Sequence, residues 1–274
     1  MVKIKTPTQN YYMDGYLQIN LEKAKQVVKK DWDMVFVIDG MEGSGKSVLT
    51  QQIAHYTDPT LDISRITFNP ESFKKAIDEA TKYQAIIYDE GYAGLSSKSS
   101  MSAINKAIVQ RLTIIREKNL FIFIVLPSFF DLDKYVAIWR SRALISVYTG
   151  KGFKRGFFSF YNYDKKKELY IKGKKFYNYK CVQPNFRGSF LNGYMVNEQK
   201  YRTKKREESI ILENINSNQK FVNTITRKIK QTISQNLKDP SLNLTKKQIA
   251  GILGVTTMTI YNYNKKYKEE NEKN

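Results

Sequence analysis

Residues Gly40, Met41, Glu42, Gly43, Ser44, Gly45, Lys46 and Ser47 match the pattern G-x-x-x-x-G-K-[ST]. Glycines at such spacing let the backbone curl so that successive N–H groups point inward at a chain of phosphates. A helix opening at Lys46 adds the positive end of its dipole. Val48, in the first turn of that helix, completes the set. Lys46 is then placed to reach the β and γ phosphates of a nucleoside triphosphate, and Ser47 to ligate Mg²⁺ through its hydroxyl. A plain glycine-rich turn is the alternative, but an apolar run before the motif and a helical pattern after it are the setting the phosphate loop requires. About forty residues on, Ala85-Ile86-Ile87-Tyr88-Asp89-Glu90 reads as an apolar strand ending in two carboxylates, expected to lie beside the strand that feeds the loop. Asp89 is placed to hold the magnesium shell, usually through water, and Glu90 to polarise an attacking water. A carboxylate capping a turn is the plainer role for Asp89. Further along, residues 120–126 run into Pro127-Ser128, where the Ser128 hydroxyl either senses the γ phosphate or caps the next helix.

Such groups do chemistry only if strand ends are brought together, and the surrounding pattern predicts that they are. Apolar, β-branched runs at 35–38, 65–68, 85–88, 120–126 and 143–148 alternate with helical patterns at 46–56, 71–81 and 102–118, after a helical stretch near 19–30. Short buried strands spaced by helices predict an α/β fold of three layers, a parallel sheet covered on both faces. The small and polar residues 91–100 read as a loop, either near the substrate or merely connecting. From Phe153 the texture changes. Residues 153–163, 168–173 and 174–182 are aromatic and alternating, with Lys/Gly turns between them, which predicts a β-meander, a β-hairpin extension of the sheet. Its Phe157, Phe158, Tyr161, Tyr163, Tyr177 and Tyr179 either stack on bases or form an aromatic core under a lysine-rich surface, the second being favoured. Residues 200–208 read as a charged linker opening a helix. The expected division is an N-terminal segment at 1–32, a core at 33–150, a basic extension at 151–199, a helical linker at 200–239 and a small all-α domain at 240–274.

That last domain carries a second motif. Ala250 is small, Gly254 suits a turn, and Ile249, Leu253, Val255 and Ile260 fall at core positions, so residues 244–261 resemble a helix-turn-helix. Thr256, Thr257, Thr259 and Asn262 are then expected to line a recognition helix, with Lys246 and Lys247 beside it for DNA phosphates. A helical hairpin with no nucleic-acid role packs in the same way. Charge points in the same direction as the motif. Residues 1–149 hold 19 Lys+Arg against 16 Asp+Glu, whereas 150–274 hold 27 against 10. A basic half rich in aromatics suits nucleic acid, although a genome that writes Lys, Asn, Tyr and Ile everywhere gives a similar bias. With one cysteine, Cys181, and one histidine, His55, neither an internal disulfide nor a zinc cluster is expected, and both residues are read as packing groups. No apolar run reaches bilayer length and the opening MVKIKTPTQN lacks the apolar core of a signal peptide. A cytoplasmic protein with no membrane partner is expected.

The order of parts over residues 33–149, namely strand, GMEGSGKS, AIIYDE, a helix carrying Arg116, LFIFIVLPS and WRSRALISVY, resembles the RecA-like ASCE P-loop ATPases. Within them it is similar to FtsK/HerA-type DNA motors and viral genome-packaging ATPases. The resemblance implies ATP and Mg²⁺ as cofactors, DNA as partner and a homo-oligomeric ring, pentamer or hexamer, in which a neighbour's arginine completes each site. Arg116 matches that arginine best, with Arg140 and Arg142 as rivals. It also implies a virus or mobile element as source, with other viral or replication proteins as partners. Nothing after residue 150 resembles the nuclease domain of large terminases. A nucleotide-switched DNA-binding regulator or partition-type protein is the rival reading, and a small-molecule kinase a third.

Overall fold

The computed structural model describes residues 2–5, 10–89, 109–111, 114–211, 223, 224, 226, 233 and 244–262. It divides into two compact units, residues 1–212 and 213–274.

The first unit is built on a seven-stranded sheet. Its strands are β3 (Met34–Gly40), β4 (Ile66–Thr67), β5 (Ala85–Asp89), β6 (Phe121–Leu126), β7 (Ala143–Tyr148), β8 (Phe157–Tyr161) and β9 (Phe186–Ser189), in the order β4-β5-β6-β3-β7-β8-β9. Strands β4 to β7 and β3 run parallel, while β8 and β9 join antiparallel at one edge. Because side chains alternate across a strand, β3 and β6 serve two cores at once. Phe36, Ile38, Phe121 and Phe123 pack with helices α1 (Gly15–Val28) and α2 (Lys46–Thr57) on one face. On the other face Val35, Val37, Ile122 and Ile124 pack with α3 (Pro70–Glu79), Ile115 and α4 (Tyr163–Gly173). The result is an α/β fold with a mostly parallel central sheet flanked by helices. Strands β1 (Val2–Lys5) and β2 (Asn10–Met13) form a separate antiparallel pair whose Ile4, Tyr11 and Met13 join the α1/α2 core.

Three features depart from the sequence reading. Strand β6 lies between β3 and β5, in the register Ile38↔Val125↔Asp89, so the carboxylate strand is not adjacent to the loop strand. Helix α2, which leaves β3, packs on one face, whereas α3 and residues 129–138, which leave β4 and β6, pack on the other, and this puts the topological switch point between the carboxyl ends of β3 and β6. That is where open α/β sheets bind ligands. The expected meander is interrupted: residues 163–173 are α4, started by Asn162, whose side chain accepts from Lys165 N, and two 3₁₀ turns follow before β9. Burial of Leu169, Tyr170 and the Lys166 stem along one stripe outweighs the strand preference of the aromatics. Lys166 donates to the Ala137 and Ile138 carbonyls at 2.6 and 3.0 Å. The start of the expected helical linker is helical, as read, but it belongs to the first unit. Residues 198–211 form a helix, α5, capped by Asn197 and anchored by buried Tyr201 and Glu208.

In the second unit α6 (Lys246–Leu253) begins with a Thr245/Gln248 capping box and ends at Gly254 with φ 59°. A helical segment follows at 257–262, and Ile249, Ala250, Leu253 and Ile260 form a small core with Leu244 and Val255 against it. Among the described residues no helix is long and apolar enough to cross a membrane.

Candidate active site

The glycine-rich loop leaves β3 at its carboxyl end and enters α2, the geometry expected from its spacing. Gly40, Gly43 and Gly45 have φ of 141°, 73° and 101°. At Gly40 a Cβ would stand 2.1 Å from the Val147 carbonyl oxygen of neighbouring β7, so only glycine fits. Gly45 is the left-handed cap of α2 and, having no side chain, leaves the first N–H groups of the helix free to face a ligand. Within the turn Ser44 N donates to Met41 O at 3.2 Å, and the Ser44 hydroxyl is buried with no hydrogen-bond partner among the described residues. Lys46 folds back on the loop, its Nζ donating to the Gly40 and Met41 carbonyls at 2.5 and 2.9 Å. Burial pushes its pKa down, opposed by the charges of Asp89 and Asp39. An ammonium on carbonyls, the uncapped N–H groups at the start of α2 and an orphaned hydroxyl together make a donor set that fits a polyphosphate.

Asp89, at the carboxyl end of β5, is buried, and both its oxygens are engaged by α5. Tyr201 donates its hydroxyl to Oδ2 at 2.6 Å and Lys205 Nζ lies 3.4 Å from Oδ1. The Tyr201 hydroxyl also meets the Ser47 side chain, so one phenol spans the two groups read as magnesium ligands. Burial, followed by the charge of Asp89, drives the Tyr201 pKa up and keeps the phenol a donor. Below the loop, Asp39 is wholly buried, its Oδ2 accepting from the Tyr179 hydroxyl and from Phe129 N at 2.9 Å. Burial raises its pKa to about 6, tempered by bonds from Tyr179, Ser146 and Phe129 and by the charge of Lys46.

These groups open on a cavity of about 980 Å³, at the upper end of small-molecule sites. Glu42, Gly43, Gly45, Lys46, Ser47, Val48 and Asp89 line it from the loop and β5. Val125 to Pro127 at the end of β6 and Asp131 add to this wall, and a further part of it was not legible in the sequence: Arg155 and Gly156 before β8, Phe190 to Asn192 and Tyr194 after β9, and Glu198, Arg202 and Lys205 of α5. The i, i+4 spacing of Tyr201 and Lys205 inside a charged run was the one available signal, and it points to no target by itself.

Other candidates fall elsewhere. Ser128 caps a 3₁₀ turn, its Oγ accepting from Phe130 N at 3.3 Å and lying 3.4 Å from the Tyr179 hydroxyl. It lines a neighbouring cavity of about 800 Å³ instead of the one around Lys46. Arg116 and Arg142 sit over the Trp32 ring at 5.9 and 5.1 Å, and Arg140 pairs with buried Asp33. All three therefore lie at the amino end of β3, and the seven residues of that strand put them roughly 20 Å from the loop of their own chain. Glu90 and the 91–100 loop are outside the described residues. Of the extension aromatics, Phe158 and Tyr161 are core, Phe157, Tyr163 and Tyr179 are half-buried, and Tyr177 is exposed. His55 is buried beside Tyr11, and Cys181 Sγ donates to Asn178 O.

In the second unit Lys246, Lys247, Thr257 and Asn262 are exposed. Thr256 is exposed too, but its hydroxyl is spent locally. It accepts from Thr259 N at 3.2 Å and shares a 2.9 Å hydrogen bond with the Thr259 hydroxyl, which caps the second helical segment.

No family model matches the chain, and neither a curated protein nor a solved structure matches it.

Proposed function

We propose that this chain is an ATPase that handles DNA for a virus or mobile element, binding ATP with Mg²⁺ in the cavity around Lys46. The observation that carries the reading is one of place. A G-x-x-x-x-G-K-S loop with three left-handed glycines opens α2 at the switch point of a parallel sheet, and a strand-end carboxylate, Asp89, lines the same cavity as its lysine and serine. In this reading the loop N–H groups and Lys46 bind the β and γ phosphates, and Ser47 and Asp89 are the residues that would hold magnesium. The metal supplies neutralisation of phosphate charge. Glu90 is the proposed base that orients and deprotonates water. The second unit, with exposed Lys246, Lys247, Thr257 and Asn262, is proposed as a helix-turn-helix DNA contact. A homo-oligomeric translocase or packaging motor, with Arg116 of a neighbour at each site, follows from the resemblance.

One observation favours the rival, a nucleotide-switched DNA-binding protein. Helix α5 holds Asp89 through Tyr201 and Lys205, and the chain runs on from that helix to the second unit. Phosphate release with and without double- and single-stranded DNA, for the native chain and Lys46→Ala, tests both. DNA-stimulated turnover that Lys46→Ala abolishes, together with displacement of a DNA-bound protein block, supports the motor. Nucleotide-dependent DNA binding without displacement supports the switch. Turnover retained by Lys46→Ala sinks the ATPase reading.

A further inference from the structure

Lys46 and the loop N–H groups approach a triphosphate from the helix side, and charge developing on the transferring group needs a cation from the other side as well. Among the described residues four cations line the cavity. Three are committed: Lys46 to the loop carbonyls, Arg202 to Glu198 at 2.6 and 2.8 Å, and Lys205 to Asp89. The fourth, Arg155, is exposed, and among the described residues no hydrogen bond, ion pair or ring contact holds its guanidinium. Its Nη2 lies 3.6 Å from the point where a Cβ on Gly43 would stand, which puts the guanidinium beside the loop.

The backbone carrying Arg155 is built onto that loop. Gly156, with φ 99°, accepts from Phe190 N at 2.8 Å, and a Cβ on it would meet the Phe190 carbonyl at 2.6 Å. The Phe190 ring in turn lies 3.0 Å from where a Cβ on Gly45 would be. The turn before β8, the residue after β9 and the loop glycines are thus mutually packed, which fixes the backbone that carries Arg155 at the edge of the cavity.

We propose that Arg155 is a catalytic residue acting in cis, contacting the γ phosphate of ATP as its charge redistributes. The inference rests on the ATPase reading above and deepens it. As water oxygen bonds to the γ phosphorus, the bond from phosphorus to the β–γ bridging oxygen breaks and ADP leaves with that electron pair, while the proton lost by water passes to the base, for which Glu90 is the candidate. Arg155 takes no proton. Its N–H groups, charged at any working pH, bind the γ and bridging oxygens more tightly as negative charge gathers there.

The test uses the full chain as native protein, Arg155→Ala, Arg155→Lys and Lys46→Ala. With Mg-ATP, Arg155→Ala is expected to lower turnover on the order of 10³-fold. Arg155→Lys should recover only part of it, because an ammonium does not span two oxygens. Binding supplies a second readout. Affinity for Mg-ADP should stay within about twofold, and affinity for Mg-ADP with aluminium fluoride, a planar phosphoryl mimic, should fall more than about tenfold. Mixing Arg155→Ala with Lys46→Ala chains should give no activity beyond the sum of the two, since a cis site needs both residues on one chain. Native turnover in Arg155→Ala while Lys46→Ala is inactive overturns the role of Arg155 and leaves the ATPase reading standing. Equal losses for ADP and for the fluoride complex also overturn it. Recovered activity on mixing shows an arginine acting in trans and overturns the cis assignment. Full turnover in Lys46→Ala removes the ATPase reading and this inference with it.

Discussion

Replacing Tyr201 by phenylalanine is expected to weaken the fold and tighten metal binding by the same free energy. The phenol donates at 2.6 Å to Asp89, a carboxylate that is 3% exposed. A hydrogen bond to a charged, buried acceptor is worth about 1.5–3 kcal/mol, most of which is lost when the acceptor keeps no substitute. In the metal-free native chain that bond is present, so Tyr201→Phe should lower the stability of the first unit by about 1.5–3 kcal/mol. For Asp89 to take part in a magnesium shell it must give up the phenol, and in the variant there is nothing to give up. The closed cycle then requires Mg²⁺, with ADP present, to bind more tightly by the same amount, roughly 10- to 160-fold. Urea unfolding without metal measures the first quantity and calorimetric titration of Mg²⁺ into the ADP-saturated chain the second. Agreement in size with opposite sign is the expected result. A variant whose stability falls while its Mg²⁺ affinity is unchanged or weaker would refute the reasoning, because the phenol would then belong to the metal-bound state as well.

Two further outcomes follow from buried carboxylates. Glu208 Oε2 accepts from Phe68 N at 3.0 Å, Asn69 Nδ2 at 2.6 Å and Ser72 Oγ at 2.6 Å. Glu208→Ala strands these donors at the start of α3 and should cost about 3 kcal/mol or more, with Glu208→Gln losing about half as much, as read from urea midpoints. Asp39 has its folded pKa raised to about 6 from the ordinary 3.8 of an aspartate. The protonated form is the one the fold favours, so its contribution is fully present below about pH 4, is lost as pH rises through about 6, and amounts to roughly 3 kcal/mol at most. Asp39→Asn, neutral throughout, should flatten stability across that window and exceed the native chain at pH 7.5. Equal slopes for the two proteins would show that Asp39 does not titrate there.

What could be read from the sequence is what local physics controls. Glycine spacing specifies a loop that only φ > 0 residues can make, an apolar run before it makes a strand, and a helix must follow, so residues 34–57 are found where their pattern puts them. The same holds for the two-faced strands of a mostly parallel sheet and for the Gly254 turn with its Ile249, Leu253 and Ile260 core, each set by periodicity within a few turns of chain. Tertiary structure alone decided the rest. Hydrogen bonding of β6 between β3 and β5 is a choice among strand orders that no local pattern distinguishes. Residues 163–173 carry strand-like aromatics yet become helical because Leu169 and Tyr170 find a core to fill. Whether Ser128 faced a phosphate or capped a turn depended on the chain direction after Pro127. Arg155, Tyr201 and Lys205 lie more than a hundred residues from the loop they surround. Their meeting depends on the docking of β8, β9 and α5 against one sheet edge and core, a long-range packing whose energy is spread over many side chains and so leaves no short motif in the chain.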